Sequence, residues 1–141
     1  MAADRREARG VAEQPSPDLR TDTMAYEVAT DLRALRAFVC AGAIARGLTA
    51  ERVELLALAV SELATNTLQH TADGGRVRLW AEGDQLFCDV VDQGPARAFG
   101  RAMPAADAVR GRGLAIVEQV CDEVAVLAAG EGTVVRIRLA L

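Results

Sequence analysis

The chain contains no lysine, only one histidine and only one asparagine among its 141 residues. All 16 of its basic residues are therefore arginines. The absence of lysine excludes P-loop nucleotide-binding proteins and eukaryotic-type protein kinases, because both hold phosphate groups with a lysine. Any phosphate chemistry in this protein must depend on backbone N–H groups, on a metal ion or on arginine.

The chain also lacks an excess of positive charge and a long apolar segment. Its net charge of −4 argues against a nucleic-acid-binding protein, which usually has a basic face. No apolar run reaches the ~18 residues of a membrane span, and no signal-peptide core follows the N-terminus. We therefore expect a cytoplasmic protein. The three cysteines, Cys40, Cys88 and Cys121, lack the spacing of a zinc site and are interpreted as buried reduced thiols.

The composition is that of one globular domain behind an irregular tail. Aromatic residues make up only 4% of the chain, but 51% of the residues are hydrophobic, which is enough for a core. Residues 1–22 are charged, contain proline and show no periodicity, so we interpret them as a disordered tail. Residues 23–141 form the predicted domain, which starts with a short strand at Thr23–Val28.

Two helices are predicted next. Asp31 is placed to cap a helix that extends to about Arg46, where Gly47 ends it. Its apolar residues recur at helical spacing on one stripe, formed by Leu32, Leu35, Val39 and Ala43. Thr49 then caps a second, longer helix that continues to His70.

Two hairpins are predicted from alternating apolar residues. The first turns at Gly83-Asp84, and its first strand has an inward row of Val77, Leu79 and Ala81. The return strand has an inward row of Leu86, Cys88, Val90 and Asp92, so a carboxylate ends a row that points into the core. The second hairpin covers residues 123–141. There Thr133 begins an inward row with Val135, Ile137 and Leu139.

Three polar residues follow one another at spacings of four in the long helix. Glu62, Asn66 and His70 lie within an arc of roughly 80°, after a segment, Val53–Val60, that is apolar at nearly every position. One interpretation is an ordinary solvated face. The other is a partly buried carboxylate, which needs a proton, a cation or a hydrogen-bond partner. A hard cation with oxygen ligands would suit the Glu–Asn pair.

Two glycine-containing segments allow a structural and a functional interpretation. "DQGP" is either a plain turn or a place where Asp92 accepts a hydrogen bond from an exocyclic amine while Gly94 admits a flat base. "GRGL" is either a tight connection or an anion site, because the N-terminus of a helix favours phosphate. Residues 93–110 between them are long enough to be a functional lid. The arginines in this lid and directly after it are solvated charges, or one or two of them contact a γ-phosphate: Arg97, Arg101, Arg110 and Arg112.

In this order and spacing, the motifs resemble the N box, G1 box and G2 box of the GHKL superfamily of ATPases. The resemblance covers about residues 24–141, and "AVSELATNTLQH", "DQGP" and "GRGLAIVEQVCDEV" are most similar to bacterial anti-sigma-factor serine kinases. It implies a two-layer α/β sandwich of the Bergerat type with a mixed, largely antiparallel sheet. The G1 box of that family often continues to a second glycine, where this chain has Ala96.

The resemblance also implies a role for each matching residue. Asn66 would bind Mg²⁺ on the phosphates of ATP, and Glu62 would be the general base. Asp92 would bind the adenine amine, supported by Thr133. The remaining base and phosphate contacts would come from the glycine-rich segments, at Gly94, Gly111, Arg112, Gly113 and Leu114.

Two functions are compatible with this pattern. Two other kinds of GHKL protein are not expected. A histidine kinase needs a phospho-acceptor histidine on a dimerisation helix, whereas the only histidine of this chain lies in the N box. Gyrase and chaperone ATPases need further domains, which we do not expect here. The first hypothesis is a serine/threonine kinase that phosphorylates an anti-anti-sigma (STAS-type) partner. The second is a module that sequesters a sigma factor or another regulator by binding alone.

The resemblance further implies a homodimer built from the first strand and helix. The apolar side of that helix belongs to the core or to an interface: Leu32, Leu35, Phe38 and Val39.

Overall fold

The computed structural model describes residues 20–70, 73–92, 122–129 and 132–141. These residues form two helices, α1 (Leu32–Ala45) and α2 (Ala50–His70), with a 3₁₀ turn at Ala29–Asp31 before α1. They also form five strands: β1 (Thr21–Tyr26), β2 (Gly75–Glu82), β3 (Gln85–Asp92), β4 (Glu123–Ala129) and β5 (Gly132–Ala140). The predicted N-terminal tail up to residue 19, the predicted lid at residues 93–110 and the "GRGL" segment after it lie outside the described residues.

The five strands form one sheet in the order β1-β2-β3-β5-β4. All four pairings between described strands are antiparallel, so this part of the sheet is more regular than the mixed sheet that we expected. Both hairpins form as predicted, and the first turns at Gly83, whose φ is +63°. The helices pack on one face of the sheet, which confirms the predicted α/β sandwich.

Strand β1 begins and ends two residues earlier than predicted, and Asp31 binds the segment that follows its end. The carboxylate of Asp31 accepts hydrogen bonds from the backbone N–H groups of Glu27 (2.8 Å) and Val28 (3.1 Å). These N–H groups lower the pKa of Asp31 and turn the chain out of the sheet after Tyr26. Asp31 occupies the predicted N-cap position of α1, but its side chain makes no capping hydrogen bond to that helix.

Helix α1 has the predicted apolar stripe and lies unusually close to the sheet. Leu35, Val39 and Ala43 are fully buried, and the helix ends before Gly47, whose φ is +101°. A Cβ atom at Gly42 would collide with the side chain of Leu79 on β2. The absence of a side chain at Gly42 therefore permits the close approach of α1 to β2.

Helix α2 is buried along most of its length, because it packs beside α1 on the same face of the sheet. The carbonyl of Thr49 accepts the first helical hydrogen bond from the N–H group of Val53 at 2.9 Å, which places Thr49 at the predicted cap position. The core that α2 forms with the sheet contains most of the predicted inward-facing strand residues: Val77, Leu79, Leu86, Cys88, Val90, Val135, Ile137 and Leu139. None of the described helices is long and apolar enough to cross a membrane.

The opposite face of the sheet, which we call the second face, carries a buried ionic cluster. Asp89 has no exposed surface and accepts two hydrogen bonds from Arg136, at 2.8 and 2.9 Å, and one from Arg78 at 3.3 Å. Beside them the rings of Trp80 and Phe87 stack with centroids 5.2 Å apart, and the Arg136 guanidinium lies 5.2 Å from the centroid of Trp80. The Asp89 carboxylate is therefore paired with an arginine on each neighbouring strand, Arg78 on β2 and Arg136 on β5.

Two of the three cysteines are described, and both are free thiols. Cys88 is fully buried in the core, and burial together with the charge of Asp89 raises its pKa, so the thiol stays protonated. Cys40 is partly buried and packs against the same core. Both fit the predicted reduced thiols, whereas Cys121 lies outside the described residues.

Candidate functional site

A row of four directly paired residues crosses the sheet at one end. Tyr26 of β1 pairs with Gly75 of β2, Gly75 pairs with Asp92 of β3, and Asp92 pairs with Thr133 of β5. Because directly paired residues point to the same face, all four lie on the face that the helices cover. The sheet thus places Asp92 and Thr133, which the sequence suggested separately, next to each other. We call these four residues the cross-strand row.

Helix α2 adds polar side chains above the same face. Asn66 and Thr67 are buried, with 4% and 8% of their surface exposed. The Thr67 hydroxyl donates to the carbonyl of Leu63 at 3.2 Å, so its proton is used within the helix. Glu62 is half-buried and lies four residues before Asn66, about 6 Å along the helix axis. The helix thus presents a carboxylate and an amide in sequence, one turn apart.

Two glycines allow β1 and β2 to meet closely beside this row. Gly74 has a φ of +70°, and a Cβ atom there would collide with the carbonyl of Tyr26. A Cβ atom at Gly75 would collide with the carbonyl of Val91 and would lie 2.7 Å from the Tyr26 hydroxyl oxygen. Because neither position tolerates a side chain, the phenol end of Tyr26 can lie over Gly75.

Two buried polar atoms in this region have no hydrogen-bond partner, the hydroxyl oxygen of Tyr26 and the Nδ2 atom of Asn66. Tyr26 is completely buried. Its pKa is raised to about 12, chiefly by burial, with the nearby Thr67 side chain opposing the rise and the charge of Asp92 adding to it. Buried polar atoms in folded proteins nearly always have a partner. The residues therefore fit a ligand that brings hydrogen-bonding groups to this end of the sheet.

A metal site made of protein ligands alone is not present among the described residues. No group of three or more His, Cys, Asp or Glu side chains is close enough there to hold an ion. This arrangement still fits Mg²⁺ bound together with a nucleotide, because such an ion takes only one or two protein oxygens and completes its shell with phosphates and water. Among the described residues of α2, Asn66 is the one with a buried side-chain amide, so it is the candidate to bind this Mg²⁺ ion.

The structure brings some of the predicted site residues together and leaves others untested. Asp92 and Thr133 are paired, and Glu62 and Asn66 are neighbours on α2. His70 ends α2, but its side chain lies outside the described residues. So do the predicted residues of the glycine-rich segments: Gly94, Gly111, Arg112, Gly113 and Leu114. The individual roles of all these residues remain predictions.

Sequence reasoning missed four residues of this region: Tyr26, Thr67, Gly74 and Gly75. The segment that contains the two glycines indicated only a turn. Tyr26 reaches the row through the pairing of β1 with β2, and a sequence does not show which residues of two strands are opposite each other. The available signal was weak: Tyr26 is the only tyrosine, and it ends a predicted strand.

Comparison with known proteins assigns the chain to a family. A family model described as the histidine kinase-like ATPase domain matches residues 26–139, which begin at the tyrosine of the row and end in β5. No curated protein shows significant similarity to the chain. The match includes α1, α2 and the paired Asp92 and Thr133, and it supports the resemblance to GHKL ATPases and the binding of ATP. Since it extends over most of the sequence, the chain belongs to the histidine kinase-like ATPase domain family.

Proposed function

We propose that the protein is an ATP-dependent serine/threonine kinase of the anti-sigma type. It would transfer the γ-phosphate of ATP to a serine of an anti-anti-sigma (STAS-type) partner. The observation that carries this proposal is the position of Glu62, a half-buried carboxylate one helical turn from the buried amide of Asn66. A module that only binds ATP needs no carboxylate at the phosphate end of the site.

The proposed reaction uses Glu62 as the general base. Its carboxylate accepts the proton of the serine hydroxyl as the serine oxygen forms a bond to the γ-phosphorus. The bond between that phosphorus and the β,γ-bridging oxygen breaks, and ADP leaves with the bonding electrons. The products are phosphoserine on the partner and ADP.

The two ends of the nucleotide would be held by different elements. Asp92, paired with Thr133, would accept a hydrogen bond from the adenine amine. Asn66 on α2 would hold Mg²⁺, which neutralises charge on the phosphates when it is bound. The spacing of these elements supports the assignment, because α2 packs over the same sheet face that carries Asp92.

Phosphotransfer by three variants tests the proposal. Glu62→Gln keeps the shape of the side chain but removes the base, so ATP should still bind while phosphotransfer falls by ~10²-fold or more. Asn66→Ala should lose the dependence of ATP affinity on magnesium. Glu54→Gln is the matched control, because Glu54 is an exposed carboxylate two turns earlier on the same helix and should transfer phosphate at the wild-type rate.

The measurements are calorimetric titration of ATP, with magnesium or with chelator, and transfer of radiolabel to a purified STAS-type protein. If Glu62→Gln transfers phosphate as fast as the wild type, Glu62 is not the base. If the wild type binds ATP and the partner without transferring phosphate, the protein is a module that sequesters its partner.

A further inference from the structure

Tyr26 extends along the cross-strand row toward Asp92. Its backbone lies on β1, and the end of its ring lies over Gly75 on β2, where a Cβ atom would be 3.0 Å from its Cζ atom and 2.7 Å from its hydroxyl oxygen. The next member of the row is Asp92 on β3, one strand spacing or ~4.8 Å farther. Because Gly75 has no side chain, nothing from β2 separates the phenol hydroxyl from the side-chain position of Asp92.

This hydroxyl is a buried donor without an acceptor. Tyr26 is 0% exposed, and its hydroxyl oxygen has no hydrogen-bond partner. Its two polar neighbours are Thr67 and Asp92. The Thr67 hydroxyl is near enough to lower the pKa of Tyr26, but its proton goes to the carbonyl of Leu63, and its contact with the phenol lacks the geometry of a hydrogen bond. Leaving such a group unpaired is costly in the absence of a ligand. A ligand or a water molecule that fills the position would remove this cost.

We propose that Tyr26 is a base-binding residue of this site, whose hydroxyl donates a hydrogen bond, directly or through one buried water, to the acceptor nitrogen N1 of an adenine base. The proposal rests on the proposed binding of the adenine amine by Asp92. Adenine presents a donor, its exocyclic amine, beside an acceptor, N1, on one edge. The row presents the complementary pair, an acceptor at Asp92 beside a donor at Tyr26.

Asp92, rather than Tyr26, disfavours guanine. At the corresponding positions guanine has a carbonyl oxygen, which would face the Asp92 carboxylate, and an N–H group, from which the Tyr26 hydroxyl oxygen could accept a hydrogen bond. A base that leaves buried groups of the site unpaired is rejected more strongly than one that merely fits less well. Tyr26 would therefore strengthen the binding of adenine, whereas the rejection of guanine would come from Asp92.

A ligand-binding role and a purely structural role of the Tyr26 hydroxyl predict different effects of Tyr26→Phe on stability. Tyr26→Phe keeps the ring over Gly75 and removes only an atom that has no partner. Removing an unsatisfied buried polar group should leave the free energy of unfolding unchanged or raise it. If instead the hydroxyl stabilises the fold through Thr67, the same variant should unfold at a lower temperature.

The test is a double-mutant cycle between the protein and its ligand. ATP and 1-deaza-ATP, in which a C–H group replaces N1, are titrated calorimetrically into the wild type and into Tyr26→Phe. We expect Tyr26→Phe to bind ATP ~3- to 10-fold more weakly than the wild type does, the value of one hydrogen bond. The wild type should lose affinity for 1-deaza-ATP by a similar factor, and Tyr26→Phe should lose little more.

The analogue 7-deaza-ATP is the matched control, because it lacks a ring nitrogen away from N1. Its affinity relative to ATP should be the same in both proteins. Equal ATP affinities of the wild type and Tyr26→Phe, or losses from the variant and from 1-deaza-ATP that simply add, would overturn the role of Tyr26 while the site itself stands. Failure of the wild type to bind ATP at all would overturn the proposed function and this inference together.

Discussion

Asp89 and Asp92 are three residues apart on β3, yet they point to opposite faces of the sheet and have different surroundings. Asp89 is enclosed on the second face by Arg78 and Arg136. Asp92 lies on the helix-covered face, in a row with Tyr26 and Thr133. The odd spacing separates the two roles, because side chains alternate along a strand. One carboxylate neutralises arginines within the fold, and the other is the one that we propose to bind the base.

Asp92→Asn should weaken ATP binding by at least ~10-fold. The amide nitrogen can face the adenine amine, so that two donors meet where a donor and an acceptor are needed. Isothermal titration calorimetry with the wild type and the variant measures the change. Thermal unfolding of both proteins without nucleotide shows whether the fold is retained. An unchanged affinity would mean that Asp92 does not bind the base.

Some site residues could be inferred from the sequence because their signal is local. Asp92 is the last residue of one row of alternating apolar residues, and Thr133 is the first residue of another. The face of the sheet on which they lie could therefore be predicted without knowledge of the strand pairing. Glu62 and Asn66 are related by helical spacing alone. Tyr26 could not be inferred in this way, because its place depends on the register of β1 against β2 and on two glycines that remove side chains from its path.

The helices and hairpins were also predictable from local signals in the sequence. The exception is the end of β1, where a side chain forms hydrogen bonds with the backbone. Hydrophobic periodicity identified α1 and α2 to within one or two residues. The end of β1 was misplaced because the Asp31 carboxylate binds the N–H groups of Glu27 and Val28, which the alternation of apolar residues does not reveal. The cluster on the second face also escaped prediction, since charged residues in a strand normally indicate a solvated face.

The ionic cluster on the second face should contribute strongly to the stability of the sheet. Asp89→Ala leaves the partly desolvated Arg78 and Arg136 without their shared carboxylate, and we expect a loss of about 3–5 kcal/mol in the free energy of unfolding. Glu123→Ala is the matched control on the same face. Glu123 binds Arg138 at 2.8 Å, but its side chain is 29% exposed, so its removal should cost about 0–1 kcal/mol.

Urea-induced unfolding of the two variants and the wild type measures this difference. Similar losses for Asp89→Ala and Glu123→Ala would contradict the special role of the buried cluster. Nucleotide affinity is a useful second measurement, because the cluster lies on the face opposite Asp92.

For the whole molecule, the predicted homodimer must use less of α1 than the sequence suggested. Leu35 and Val39 are fully buried within the protomer and are not available to a partner. The described surface around β1 and α1 still exposes Val28 by 54% and Ile44 by 58%. If the dimer forms through this side, Ile44→Arg should dissociate it.

Analytical ultracentrifugation with and without ATP tests the dimer. Val126→Arg is the control, since Val126 is 49% exposed on β4, at the opposite edge of the sheet, and its replacement should leave the dimer intact. A wild type that sediments as a monomer at high concentration in both conditions would exclude the dimer.

The cross-strand row also makes the site a check on the completeness of folding. Tyr26 and Thr133, at its two ends, are 133 − 26 = 107 positions apart in the chain, and the row includes four of the five strands of the sheet. Contacts between such distant segments form late, after the entropy of closing the intervening loops has been lost. A partly folded chain with the hairpin of β2 and β3 alone would have Asp92 but neither end of the row. If the row binds the base as proposed, this ability would appear only when β1 and β5 have joined the hairpin, and an incompletely folded molecule could not compete for nucleotide.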